Sequence, residues 1–153
     1  MKKIVSYMMT GILMLSFLLT GCGSPEPQTG KKMSMYYINT AETKVEVHEQ
    51  YLNTKTLDEQ LDETMKYLST TPEKLEYKAP LDMGFRVLDY EVEDGKLLIN
   101  VDKAYSELSP TTEVLVRAAI VRTLTQLPNV KYVGITVEDS QLYDNAGEMV
   151  GWM

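Results

Sequence analysis

The chain has one thiol, one imidazole and 22 carboxylates among 153 residues, so few groupings of its side chains could do chemistry. On paper a hydrolytic triad can be assembled from Ser106 or Ser109 with His48 and Asp102, but no Gly-x-Ser-x-Gly turn presents either serine as a nucleophile. Ser109, directly before Pro110, is better placed as a helix cap. His48 has no second histidine or free cysteine with which to share a metal, and it alternates onto the polar side of a strand, which makes it a solvent-facing residue. The acids Asp58, Glu59, Asp62 and Glu63 spread over a helix without the glycine-containing loop of an EF-hand, the pattern of a solvated surface. Arg117 and Arg122 lie on a mostly apolar helix and must reach solvent or a carboxylate such as Asp102 or Glu107. No catalytic residue, cofactor or metal site is expected.

Cys22 remains, and it stands in a different context. Lys2 and Lys3 precede an apolar run from Ile4 to Leu19, shorter than the ~20 residues that comfortably span a bilayer. Residues 1–21 thus read as a signal peptide. Its ending, Leu19-Thr20-Gly21-Cys22, resembles a bacterial lipobox, in which the cysteine sulfur receives a diacylglycerol and the cysteine becomes the new N-terminus. Several acyl chains hold a protein on a membrane where a single one barely does. The expectation is a domain anchored through Cys22 on the extracytoplasmic face of the cell membrane, with a rival in a plain transmembrane anchor or ordinary cleavage.

Removing residues 1–21 leaves 13 basic and 22 acidic residues, a net charge of −9. Such a surface disfavours nucleic acid and anionic headgroups as partners. With its one cysteine acylated, the chain can form no internal disulfide or thiolate metal site, so packing must stabilise it.

Residues 22–32, rich in Pro, Gly and polar side chains, form a flexible tether, and residues 33–153 a single domain. Met33 to Asn39 reads as a strand, and Lys44 to Leu52 as a second, with Val45, Val47 and Tyr51 inward and Glu46, His48 and Gln50 outward. Thr56 and Glu59 make a capping box for a helix carrying Leu57, Leu61, Met65 and Leu68. Pro72 to Gly84 is an unassigned connection. Phe85 to Glu93 and Lys96 to Asp102 flank Asp94-Gly95, a tight hairpin turn, with Leu97, Ile99 and Val101 on the core side. Pro110 to Leu127 is a second helix, central and buried, with rows Val116/Ile120/Leu124/Leu127 and Val114/Ala118/Val121. Val130 to Val137 is the last strong strand, after which Val150 and Trp152 are covering residues. The fold class is α+β: one mixed or antiparallel sheet of about four to five strands with two helices packed on one face.

The segment Val87 to Asp102 (VLDYEVEDGKLLINVD), Tyr105, the helix from Glu113 to the run Arg122-Thr123-Leu124-Thr125-Gln126-Leu127-Pro128-Asn129-Val130, and Val133-Gly134-Ile135-Thr136-Val137 together resemble the GerMN domain of sporulation and spore-germination lipoproteins. The resemblance extends loosely over Met33 to Leu68. It departs at Lys103-Ala104, where the family usually has Leu-Ser, and in ending at Met153, which leaves room for a missing edge or closing segment. It implies a sheet-and-two-helix module similar to the ring-building motifs of secretion systems, used for assembly and not for catalysis. A protein partner or self-association is then expected, with the strand tyrosines Tyr36, Tyr37, Tyr51, Tyr90, Tyr105 and Tyr132 as contact candidates. The alternative is a receptor for a small ligand, a peptidoglycan fragment or germinant, in a cleft beside Pro72 to Gly84; an envelope hydrolase ranks third.

Overall fold

The computed structural model describes residues 30–72, 76–144 and 147–153; the signal peptide, Cys22 and most of the tether lie outside them. The order of elements is β1 (Lys31–Asn39), β2 (Val45–Leu52), α1 (Leu57–Leu68), β3 (Tyr77–Lys78), β4 (Val87–Glu93), β5 (Lys96–Val101), a 3-10 turn (Lys103–Glu107), α2 (Pro110–Leu124), β6 (Tyr132–Val137) and β7 (Ser140–Gln141).

Local chemistry sets the ends of these elements. Thr56 Oγ1 accepts from the Glu59 amide while the Glu59 carboxylate accepts from the Thr56 amide, closing the capping box of α1. Ser109 caps α2 by accepting from the Thr112 amide, with Pro110 in the first turn, where its missing N–H costs nothing. Asp94 and Gly95 both take positive φ, 49° and 81°, as a two-residue hairpin turn requires.

The strands form two sheets rather than one, in the orders β2-β1-β3 and β4-β5-β6-β7. The second is mixed: β5 runs parallel to β6 and antiparallel to β4. Leu97, Ile99 and Val101 pair with Val133, Ile135 and Val137 and share the inner face. A bulge between Val87 and Asp89 lets Val87, Tyr90 and Val92 all pack against the core, because one extra residue reverses the alternation. Leu88, the extra residue, is exposed.

One apolar cluster joins both sheets to both helices, with Met33, Met35 and Tyr37 from β1, Leu61, Met65 and Leu68 from α1, and Val116, Ile120 and Leu124 from α2. β1 is paired on one side by β2 along its length, but β3 reaches only Ile38 and Asn39 on the other. The end of α2 covers the rest of that edge. The Tyr36 amide donates to Thr123 Oγ1 at 3.0 Å, the Ser34 amide to Gln126 Oε1 at 3.1 Å, and Gln126 Nε2 donates to the Ser34 carbonyl at 2.7 Å. Thr123 of the last turn of α2 and Gln126 just beyond it thus stand where a strand would pair.

Several expectations are corrected. β1 begins at Lys31, inside the segment read as tether. On β2 the inward face is the polar one: His48 pairs with Met35 and Gln50 with Met33, so His48 is half-buried, while Val47 is 54% exposed. Alternation set the sides correctly, but its polarity is reversed because the register lays His48 and Gln50 beside the buried Met35 and Met33 of β1; Val45 alone of the expected inward valines still packs against the core. Helix α2 ends at Leu124, not Leu127, and only one of its faces is buried. Val114 is exposed, and Ala119 and Thr123 take the place of the expected second row. The connection from Pro72 to Gly84 contains β3 and buries Ala79 and Leu81.

The tail closes the free edge of β6. β7 pairs with Thr136 and Val137, and Met153 exchanges both backbone hydrogen bonds with Val133. Trp152 is thereby laid over Gly134, where an added Cβ would meet its ring carbon at 2.8 Å. Gly134→Ala is expected to displace the indole and cost about 1–3 kcal/mol, the usual range for overpacking; urea unfolding and the emission of the only tryptophan report both effects.

Burial, with a smaller contribution from Tyr67, pushes the Tyr37 phenol up to about 12 from its ordinary 10, and burial together with the Asp62 carboxylate does the same for Tyr90. Folding favours the neutral phenols, so their stabilisation is complete below pH 10 and is lost as the pH climbs from 10 towards about 12. Melting temperature should fall across that window, and Tyr37→Phe and Tyr90→Phe should flatten the fall.

Candidate functional site

The side chains that a hydrolytic reading would use are engaged separately. Asp102 accepts from Arg86 Nε at 3.1 Å and from the Ala104 amide, and the guanidinium holds its carboxyl below the usual range. Ser109 is the cap of α2, and His48 faces Met35. The helix acids also have structural partners: Asp62 accepts from the Tyr90 hydroxyl at 2.7 Å, and Glu63 accepts from the amides of Asn53 and Thr54. Among the described residues no group of His, Cys, Asp and Glu could hold a metal.

The two arginines do not reach the acids expected for them. Arg122 lies over the Tyr36 ring at 4.4 Å, a cation–π contact that packs α2 on β1. Arg117 pairs with Glu113 one turn earlier, Nε to Oε1 at 3.5 Å, close enough for an ion pair but without a formed hydrogen bond. Beside them the buried Tyr105 hydroxyl also has no protein partner. Burial, reinforced by the Glu113 charge, raises its pKa. A cavity of about 70 Å³ adjoins these groups, lined by Tyr105, Ser106, Leu108, Glu113, Leu142 and Tyr143.

The outer face of the four-stranded sheet is different in kind, because no helix among the described residues covers it. Register places Asp89, Glu91 and Glu93 of β4, Lys96, Leu98 and Asn100 of β5, and Tyr132, Gly134 and Thr136 of β6 side by side on it. At one end Asn100 is a polar hub. Its Nδ2 donates to Asp89 at 3.1 Å and to Asp139 at 2.7 Å, while its Oδ1 accepts from the Asp139 amide at 3.0 Å. This steadies the β6–β7 turn, in which Glu138 and Asp139 both hold positive φ.

At the other end Trp152 crosses the face. Its ring lies against Gly134 and Leu98, with Lys96 Nζ 5.5 Å from its centroid. A groove runs on each side, one of about 210 Å³ lined by Glu91, Glu93, Lys96, Leu98 and Trp152. The other, of about 160 Å³, is lined by Leu98, Gly134, Gln141, Met149 and Trp152 among others. Trp152 is 47% exposed, Tyr132 49% and Met149 64%, an aromatic and methionine composition typical of interface cores. A further depression of about 230 Å³ lies at Gln50, Tyr51, Asn53 and Tyr67. These volumes fall below the roughly 300 Å³ at which small-molecule pockets begin, and none of the four is lined by residue 72 or by residues 76–84, the described part of that connection.

Of the six tyrosines expected to make contacts, Tyr37 and Tyr105 are buried, Tyr36 and Tyr90 are tied to neighbours, and Tyr51 is half-buried in the depression beside Tyr67, leaving Tyr132 on the outer face of the four-stranded sheet. Sequence reasoning did not find Met149 or the groove-forming role of Trp152. The signal was Gly134 in a strand, which marks a close approach of another group.

Residues 34–143 match the model of the Germane family, described as sporulation and spore germination. The chain is similar to the first GerMN domain of the sporulation protein GerM from Bacillus subtilis, with 14% identity and a TM-score of 0.60, over 79% of this chain and 94% of that one. It is also similar to the tandem GerMN domains of the same protein, with 18% identity and a TM-score of 0.57, covering 88% of this chain. There it spans about half, 49%, of the tandem structure. At such identities the likenesses establish the fold. No curated protein sequence matches.

Removing one member of the Glu113–Arg117 pair strands the other charge. Arg117→Met is expected to cost about 3 kcal/mol. The double change Glu113→Gln with Arg117→Met should recover most of it, and a double-mutant cycle by urea unfolding measures the difference.

Proposed function

This chain belongs to the Germane family of sporulation and spore germination domains, and from that premise we propose that it is a non-catalytic protein-interaction module, held by a lipid on Cys22 at the extracytoplasmic face of the cell membrane. The observation that carries the reading is the outer sheet face. No helix among the described residues covers it, it exposes Tyr132, Trp152 and Met149, and its grooves suit protruding side chains of another protein better than an enclosed small molecule.

The anchor rests on the sequence Leu19-Thr20-Gly21-Cys22 and on acyl-chain energetics. Each buried CH2 contributes about 0.8 kcal/mol, so a diacylglycerol on the sulfur suffices to retain the domain at the membrane. The non-catalytic character rests on where the reactive side chains are spent: Ser109 as a cap, Asp102 on Arg86, His48 against Met35.

Cys22→Ala is expected to abolish the lipid mass increment and to leave the protein unprocessed or released from membranes; a wild-type protein without that increment would sink the anchor. For the interaction, a photo-crosslinking residue at Met149 should give discrete protein adducts in cells, whereas one at Asp58, exposed on α1, should not. Equal yields from both positions, or none from Met149, would refute the assignment of this face.

A further inference from the structure

The outer sheet face also carries a charge pattern that specifies what it can bind. Asp89, Glu91 and Glu93 stand in one row along β4, each two residues from the next. Strand geometry spaces such neighbours about 7 Å apart, the same repeat as alternate residues of any extended chain laid alongside. Asp89 accepts a hydrogen bond from Asn100. Glu91 and Glu93 are exposed and make no ion pair among the described residues. The cation of this face, Lys96, is drawn towards Trp152, and Lys131 lies at the hairpin turn. The two carboxylates line the 210 Å³ groove together with Leu98, Trp152 and the Lys96 ammonium that lies over the indole, so acids outnumber the cation there by two to one.

We propose that this groove takes an extended, basic segment of a partner protein, with lysine or arginine at alternate positions against Glu91 and Glu93 and an apolar side chain against Trp152 and Leu98. The inference rests on the interaction reading given above and adds the partner's chemistry. Three features act together. The acids select for positive charge and speed encounter, the two-residue repeat selects for extended backbone, and the indole with Leu98 supplies apolar area for the partner's apolar side chain. The acidic balance of the whole chain works in the same direction, because a second copy would bring like charge to the groove.

Trp152 is the only tryptophan and lines the groove, so its emission reports occupancy directly. The test uses the full chain in non-ionic detergent micelles. It is titrated with a short end-blocked peptide that alternates lysine with threonine and carries one leucine. A saturable shift of Trp152 emission is expected, weakening as salt rises because exposed charges are screened. The variant Glu91→Lys with Glu93→Lys, both at exposed positions, should weaken it about tenfold or more while leaving the circular dichroism unchanged. A peptide of the same composition with its lysines clustered at one end should bind less well. No shift, an equal response to a glutamate counterpart or to the clustered peptide, or indifference to the double variant would overturn the proposal. So would self-association of the peptide-free protein that this variant abolishes, which would assign the groove to a second copy. If the Met149 crosslinks form and the peptide fails, the face is an interface and the partner chemistry inferred here is wrong; if both fail, the interaction reading itself falls.

Discussion

The contact on which the architecture depends is the one between the last turn of α2 and the open edge of β1. Thr123 and Gln126 accept from the amides of Tyr36 and Ser34, some ninety residues earlier in the chain. These bonds satisfy strand-edge groups of β1 that a neighbouring strand would otherwise pair. They also stop the second sheet from joining the first along that edge. With a helix occupying the position of a strand, β4 to β7 must form a sheet of their own, and α2 becomes the element both sheets share.

From that arrangement follows the exposure of the outer sheet face. Both helices contribute to one core cluster, so the inner faces of the two sheets are consumed there and neither helix is left to cover Glu91, Leu98 and Tyr132. The chain covers part of it with its own tail. Met153 pairs with Val133, which lowers Trp152 onto Gly134, and the indole divides the face into two grooves. A surface so divided is shaped by backbone pairing at an edge, and its ability to bind is tied to the sheet's integrity. The Asn100 hub serves the same end from the opposite side, holding a turn of two non-glycine residues in the left-handed region.

Two polar clusters serve structure, one buried and one at the surface. The Glu113–Arg117 pair and the Tyr105 hydroxyl are buried together beneath Leu142 and Tyr143, where the low dielectric makes pairing of the charges compulsory. Glu42 accepts from Lys78 and from Thr112, and the Lys78 ammonium, with the Thr112 hydroxyl, holds its carboxyl below the usual range. The turn between β1 and β2 is thereby docked onto the first turn of α2, the far end of the same helix whose last turn closes β1.

Where an element's outcome depends on neighbours in sequence, the sequence by itself determined it: the capping box of Thr56 and Glu59, the Ser109-Pro110 start of α2, the Asp94-Gly95 hairpin, and the alternation that puts Leu97, Ile99 and Val101 in the core. Each is fixed by backbone angles or by a hydrogen bond within a few residues. The family was legible for the same reason, since its residues recur at these local features. Only the tertiary structure decided what depends on distant partners. The division into two sheets came from Thr123 and Gln126 competing successfully for an edge. The inward turn of His48 came from the register with Met35, and the stopping of α2 at Leu124 from the tight turns that lead to Val130. The groove beside Trp152 belongs to this second kind. Acids on β4, a leucine on β5, a glycine on β6 and a tryptophan in the tail carry no shared signal along the chain, and only sheet pairing brings them within contact.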